Sequence, residues 1–288
     1  MTQQNYLTLP GRALIAWMEG DRAELLLAGQ RPAARTAAHK ERVVTAQRAL
    51  AERPPLRPTE SVITPAPDAL AEHERVLRST KPGMEFFQNG YRLVLVDLRQ
   101  VIALQEQVLI RDADHRVQGL DSRDWKALAQ ITIPTPVPPA IPAQFDQASN
   151  TWIINSSNKN LRIIGNWGGP VQNGLICFGF AVALMQSFVQ LINYQSRCYL
   201  RDGYHRACGF LKRGIYVVPA LCKESRDGAD LTIEGEGLSL TQCLSDRPPL
   251  LTDYFDERVS ADIQLPQSQK NIIIQGLQFN SYLLNQPH

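Results

Sequence analysis

The stretch from Phe188 to Leu221 (FVQLINYQSRCYLRDGYHRACGFLKRGIYVVPAL) constrains the fold most, because its apolar period changes from strand-like to helical and back within a few residues. Phe188 to Tyr194 and Cys198 to Arg201 are short runs rich in Val, Leu, Ile and Tyr, separated by the turn residues Gln195-Ser196-Arg197, and they predict two strands. Asp202-Gly203 then opens a segment with helical spacing over Tyr204 to Arg213. Gly214 is a stop signal that supplies the left-handed conformation beyond a last helical turn. Ile215 to Leu221 predicts a further strand, and Pro219, which lacks a ladder donor, predicts its edge or its end. Strand, turn, strand, glycine, helix, strand is an α/β unit in which a helix packs on a small sheet.

The start of that helix carries chemistry. A helix leaves its first backbone N–H groups without intrahelical partners, and the helix dipole adds partial positive charge there. Gly203 removes the side chain that obstructs a ligand near this backbone. His205 and Arg206 add donors on the first turn, and the planar fork of arginine suits phosphate oxygens. Asp202, Gly203, Tyr204, His205 and Arg206 are therefore the candidate phosphate- or nucleotide-binding residues. Tyr204, Ala207, Cys208 and Leu211 fall on the opposite, buried face, and Gly209 leaves the flank of His205 open. A plainer reading stands beside this one: Asp-Gly before an amphipathic helix is a common loop-to-helix entry, and Arg206 then serves an internal carboxylate. If Arg206 serves a ligand, Arg206→Ala weakens binding more than it weakens the fold.

The run from Val189 to Leu221 resembles the signature of the ParB/sulfiredoxin superfamily, in which a strand pair leads to a G-x-H-R box at a helix start. Gly203, His205, Arg206, Ala207, Gly214, Val218 and Pro219 match it, and Leu93 to Leu98 takes the place of the family's opening strand. The resemblance implies an α/β (α+β) fold, a small mixed sheet with helices, and a phosphate or nucleotide ligand, with Mg²⁺ as the accompanying ion of a nucleotide. It also implies departures. Sulfiredoxins have a catalytic cysteine where this chain has Tyr204, so their chemistry is not expected. The Glu/Asn/Arg-rich box and helix-turn-helix of chromosome-partition members do not follow Leu221. Relatives resembling free-serine kinases use an acidic base near the first strand, for which Glu106 and Asp97 are available.

The rest of the chain falls into three segments. Residues 1–83 form an N-terminal helical extension: Thr36 to Arg53 predicts a helix capped by Thr36, the prolines from Pro54 to Pro67 predict an extended linker and the first site of proteolysis, and Asp68 to Ser79 predicts a second, polar helix. Residues 84–224 form the core with an insertion. Arg92 to Leu98 predicts its first strand and Val101 to Leu109 a helix. Ile133 to Pro142 predicts an extended surface segment, and Thr151–Ile154 with Leu161–Ile164 predicts a hairpin. Residues 225–288 form a C-terminal segment, with a helix over Ser239 to Leu244 and a strand over Asn271 to Leu277.

Gly174 to Tyr194 is uncharged and long enough for a membrane span. The polar residues Gln186, Ser187, Gln190 and Asn193 and the interruption at Gly179 favour a buried core element, or two of them in succession, so no membrane contact is expected. Met1 to Asn5 lacks a basic region followed by an apolar one, and the five cysteines are odd in number with no C-x-x-C pair. Both features predict a reduced, cytoplasmic protein without a zinc site. A net charge of +2 gives no global attraction to nucleic acid. DNA contact through Arg35, Lys40, Arg42 and Arg48 is expected to be weak and salt-dependent. The readings that remain are a phosphate- or nucleotide-binding module, a nucleotide-dependent phosphotransferase or hydrolase, a DNA-associated protein, and a purely structural helix start.

Overall fold

The computed structural model describes residues 7–57, 62–110, 117–135, 141–156, 158, 160–170, 175–231, 237–267 and 269–277. Contacts divide the chain into two compact units, Met1–Pro136 with Ser187–Gln267, and Val137–Gln186 with Ser268–His288. The three successive segments expected from the sequence are not the units of the fold, because the stretch before residue 84 shares the large core of the first unit.

The first unit begins with β1 (Thr8–Ala13), α1 (Gly20–Leu27) and α2 (Ala37–Glu52). The second helix starts where expected: Thr36 accepts from the His39 backbone N–H and His39 returns a bond to the Thr36 backbone, a reciprocal cap. Next come β2 (Ile63–Pro65), α3 (Ala71–Arg78), α4 (Lys81–Gln88) and β3 (Tyr91–Asp97). A stretch of the anticipated linker is thus a strand, with Ile63 opposite Val96 in β3. Val101 to Leu109 is not a helix. It forms β4 (Ile102–Ala103) and β5 (Gln107–Leu109), because Val101, Ile102, Ala103 and Leu104 are all buried in succession and leave no polar face for a surface helix. Helix α5 (Trp125–Thr132) follows, capped by Asp124.

The second unit holds β6 (Ala143–Asp146), β7 (Thr151–Ser156), β8 (Leu161–Pro170) and β9 (Ile176–Leu184). The first unit resumes with β10 (Gln190–Tyr194), β11 (Arg197–Asp202), α6 (Tyr204–Lys212), β12 (Val217–Glu224), α7 (Leu240–Cys243) and β13 (Ala261–Pro266), and β14 (Lys270–Gln275) belongs to the second.

A six-stranded mixed sheet, in the order β2-β3-β12-β10-β11-β4, is the frame of the first unit. Pro219 sits inside this sheet, not at its edge. Leu221 N–H donates to the Val189 carbonyl, so the backbone of Pro219, two residues earlier on the same strand, faces the same neighbour. Strand β10 pairs with β12 only from Gln190 opposite Leu221 onward, so no donor is needed at Pro219. A three-stranded sheet, β13-β1-β5, completes the unit.

Arginines fasten the N-terminal segment to the region around Tyr254. Buried Arg12 donates to the Tyr254 carbonyl at 2.6 Å, to Ser260 Oγ at 2.7 Å, and to Glu257 and Asp262 at 2.7 and 2.9 Å. Arg53 grips Asp253 with two bonds of 2.6 and 2.7 Å, and the carboxylate is almost wholly buried.

In the second unit the expected hairpin between 151–154 and 161–164 does not form. Strand β7 pairs along its whole length with β14, while β8 pairs with β9. The Ile-rich β14 gives β7 a partner of matching length. The buried core here is small, Ile154, Leu161 and Ile272. The uncharged run, expected to be one buried element or two in succession, forms two strands, β9 and β10; Gly174 itself lies outside the described residues. Only the second is buried, whereas most of β9 is open to solvent. Among the described residues no helix is long and apolar enough to cross a membrane. Of the Ile133 to Pro142 segment, residues 136–140 lie outside the description, and Ile133 is fully buried.

Removing Arg53 leaves the Asp253 carboxylate buried without its counter-charge. Because Arg53 itself is partly exposed, the expected cost lies at the lower end of that for a broken buried pair, about 3 kcal/mol, read as a lower urea midpoint of Arg53→Ala. After a proteolytic cut between Pro54 and Pro67, the fragment carrying β1 is expected to stay with the remainder on gel filtration until the whole unit unfolds.

Candidate functional site

The helix start expected at Gly203 is present, and the local chain shows why. Strands β10 and β11 are joined through Gln195 and Ser196, both left-handed with φ of 51° and 59°, the geometry of a tight hairpin turn. Strand β11 ends at Asp202, and Gly203 adopts φ 100°. A Cβ at Gly203 would sit 2.9 Å from Val189 Cγ2 and 3.0 Å from Val189 Cα, so both conformation and space demand glycine there. Helix α6 then buries Tyr204, Ala207, Cys208 and Leu211, the face expected from the spacing, and closes at Gly214 with φ 71°. Gly209, expected to open the flank of His205, is itself buried.

The five candidate residues are adjacent in the chain, but their side chains diverge. The Asp202 carboxylate accepts from the Gly203 backbone N–H at 2.6 Å and from the Ser187 hydroxyl at 2.7 Å. It does not reach further along the helix, and α6 opens with no side-chain cap. Tyr204 points into the core. Its hydroxyl donates to the Leu200 carbonyl and accepts from the Leu104 N–H, each at 2.6 Å, and burial pushes its ionisation far above the usual tyrosine range. His205 is half-buried.

Arg206 is buried and makes internal bonds to oxygen. Its guanidinium donates to the Ile131 and Thr132 carbonyls at 3.2 and 3.3 Å, to the Ser187 carbonyl at 2.7 Å, and to Ser187 Oγ at 2.7 Å. Ile131 and Thr132 are the last residues of α5, whose final carbonyls have no intrahelical donors. Arg206 therefore supplies the C-terminal cap and the favourable charge that α5 lacks in its own last turn. The plainer sequence reading gave Arg206 an internal partner, and these carbonyls and the Ser187 hydroxyl are internal acceptors of that kind, though not the carboxylate it named. The helix that provides two of them is missing from the sequence reading, although Asp124 before Trp125, Leu128, Ala129 and Thr132 carries a cap-and-stripe signal.

The two acidic residues considered as bases are both in ion pairs. Glu106 is buried and accepts from Arg22 Nε at 2.8 Å. Hydrogen bonds from Arg99 hold the Asp97 carboxyl below the usual range, and Arg99 also lies over the Tyr216 ring, 4.6 Å from its centroid. All five cysteines are free thiols. Burial pushes the Cys208 thiol far up and the Cys243 thiol to about 12, which suppresses the thiolate that nucleophilic chemistry needs. Among the described residues no group of His, Cys, Asp and Glu is arranged to hold a metal ion. Of the N-terminal arginines, Arg42 donates to the Glu257 and Ser260 carbonyls and Arg35 to Asp21.

No protein-family model, curated protein or solved structure matches the chain.

The fate of Arg206 reverses the expectation for its removal. In Arg206→Ala the carbonyls of Ile131, Thr132 and Ser187 lose a charged donor, at an expected cost of about 3 kcal/mol in urea unfolding. Arg206→Lys recovers only a fraction of this, because a point charge cannot span the same set of oxygens.

Proposed function

We propose that this chain is a phosphate- or nucleotide-binding protein built on a ParB/sulfiredoxin-like core, and that it holds the phosphate at the start of α6. The observation that carries this reading is the helix start itself. The cap position is Gly203, which has no side chain, and Asp202 before it is turned back onto Gly203 and Ser187, so α6 has no side-chain cap. A phosphate at this position takes the place of the cap, with the helix dipole favouring its approach. The hairpin β10–β11, the glycine, the helix and the returning strand β12 follow in the order of the superfamily signature, which supports the same reading.

The roles within the box are not equal. Gly203 turns the chain over Val189 into the helix and so sets where its first N–H groups point. His205 is the side chain that answers it. Arg206 is a positioning residue: it fixes the first turn of α6 against α5 and Ser187, and its charge reaches the site only through that placement. Tyr204 anchors the turn from beneath. A DNA-binding reading through the N-terminal helix is disfavoured, because Arg42 is committed to backbone carbonyls within the same unit.

A thermal-shift screen of ATP, CTP, GTP and ADP, each with and without Mg²⁺, tests the proposal. A nucleotide at about a hundred times its dissociation constant stabilises the fold by about 2.7 kcal/mol. His205→Ala is expected to weaken the bound nucleotide about tenfold, read as a smaller ligand-induced rise above the variant's own unliganded melting temperature. If no phosphate compound raises the melting temperature, or if His205→Ala binds as well as the parent chain, the site lies elsewhere.

A further inference from the structure

The second unit, residues 137–186 and 268–288, contains a cavity of about 860 Å³. Its walls are aromatic: Phe145 and Trp152 come from β6 and β7, Trp167 from β8, and Phe178 and Phe180 from β9. Among the described residues, none of those lining it is ionisable. The chain carries no Asp, Glu, Lys, Arg or His at all between Arg162 and Arg197, the stretch that supplies β9 and most of β8. A volume in this range, with apolar walls and a few polar groups, is that of a small-molecule site.

The rings are held in place without being covered. Trp167 rests on the backbone of Gly179, where a Cβ would sit 2.4 Å from ring atom Cζ2 and 2.6 Å from Cε2. Phe145 and Trp152 pack against each other with centroids 4.9 Å apart and planes tilted by 41°. Nevertheless Trp167 is 61% exposed and Trp152 47%. Leaving such large apolar faces in water is unfavourable, and a ligand that covers pre-positioned rings gains contact at little ordering cost. The two amide side chains of the wall set the polar requirement. Asn150 Nδ2 donates to the Gly276 carbonyl and Gln275 Nε2 to the Ser149 carbonyl, each at 3.3 Å. Each nitrogen spends one of its two protons on these bonds, and each amide keeps its carbonyl oxygen as an acceptor for a donor on the ligand.

We propose that this cavity binds an uncharged, ring-bearing small molecule that stacks on Trp152 and Trp167 and donates a hydrogen bond from its edge. Charge is excluded by the wall: an ionised ligand gives up hydration and meets no counter-charge. The site is built wholly from the second unit, so its outcome is independent of the phosphate reading of α6.

The test uses the full chain and N-phenyl-1-naphthylamine, an uncharged fluorophore with aromatic rings and one N–H donor. Saturable fluorescence enhancement is expected. The anionic relative 8-anilinonaphthalene-1-sulfonate is expected to bind about tenfold more weakly or worse. Trp167→Ala and Gly179→Ala, the latter displacing the ring by crowding, each weaken N-phenyl-1-naphthylamine by about tenfold. Ile273→Ala, exposed and off the wall, leaves it unchanged. Circular dichroism checks the fold of each variant, and Trp167→Leu, which keeps apolar bulk without a stacking face, replaces any that unfolds. No saturable binding, equal binding of the two fluorophores, or parent-like affinity in the folded Trp167 and Gly179 variants overturns the proposal. So does a doubled mass in light scattering that saturating fluorophore does not reverse, because a second copy then covers the rings.

Discussion

The guanidinium of Arg206 is the contact on which the geometry of the first unit most depends. It lies in the first turn of α6, yet its acceptors belong to the end of α5 and to Ser187. Thr132 and Ser187 are separated in sequence by the whole of residues 137–186, and their carbonyls are held by one side chain. The same region is stitched a second time by Val189 N–H donating to the Thr132 carbonyl at 2.7 Å. Val189 in turn packs under Gly203 and accepts from Leu221, so the cap on α5, the entry of α6 and the first rung between β10 and β12 share one small cluster of atoms. The candidate phosphate site inherits its shape from this cluster. A residue whose chemistry suits it to grip a ligand serves instead to fix the backbone at the start of α6.

A second set of arginines closes the unit from the other side. Arg12 and Arg53 bring buried or half-buried positive charge to carboxylates and carbonyls between Asp253 and Asp262. Buried ion pairs add little net stability compared with apolar packing, but they define one arrangement sharply, because any other leaves a charge uncompensated. Here they fix the partner of β1.

Most of the elements are legible in the sequence wherever one local signal decides them. Thr36 and Ser239 cap their helices at the positions their residue types announce, the β10–β11 turn falls at Gln195 and Ser196, and α6 runs between Gly203 and Gly214. Readings fail where distant partners decide. Val101 to Leu109 carries a helical spacing, yet burial on every side makes it strand. Strands β7 and β8 are neighbours in sequence and look like a hairpin, but β14, far along the chain, takes β7. Pro219 marks an edge by its chemistry and is central by its register. The N-terminal segment looks detachable because prolines follow it, whereas the arginine pairs that hold it have no periodicity to read. In the candidate site the backbone geometry is legible and the side-chain roles are not: three acceptors of Arg206 are backbone carbonyls, which no residue type announces.

The placement of β1 bears on how the molecule comes to exist. This strand lies between β5 and β13, and Arg12 within it meets Asp262 across a sequence separation of 250 residues. Pairing of such distant segments is slow, since the loop between them must close before any contact rewards it. During synthesis β1 emerges long before β13, one of its two neighbours. Until then its Leu9 to Ala13 edge is a strand awaiting a partner, the kind of surface that recruits other chains. Newly made protein therefore passes through an interval in which the six-stranded sheet can be complete and the smaller one cannot, and the length of that interval is set by the ribosome rather than by the stability of the finished fold.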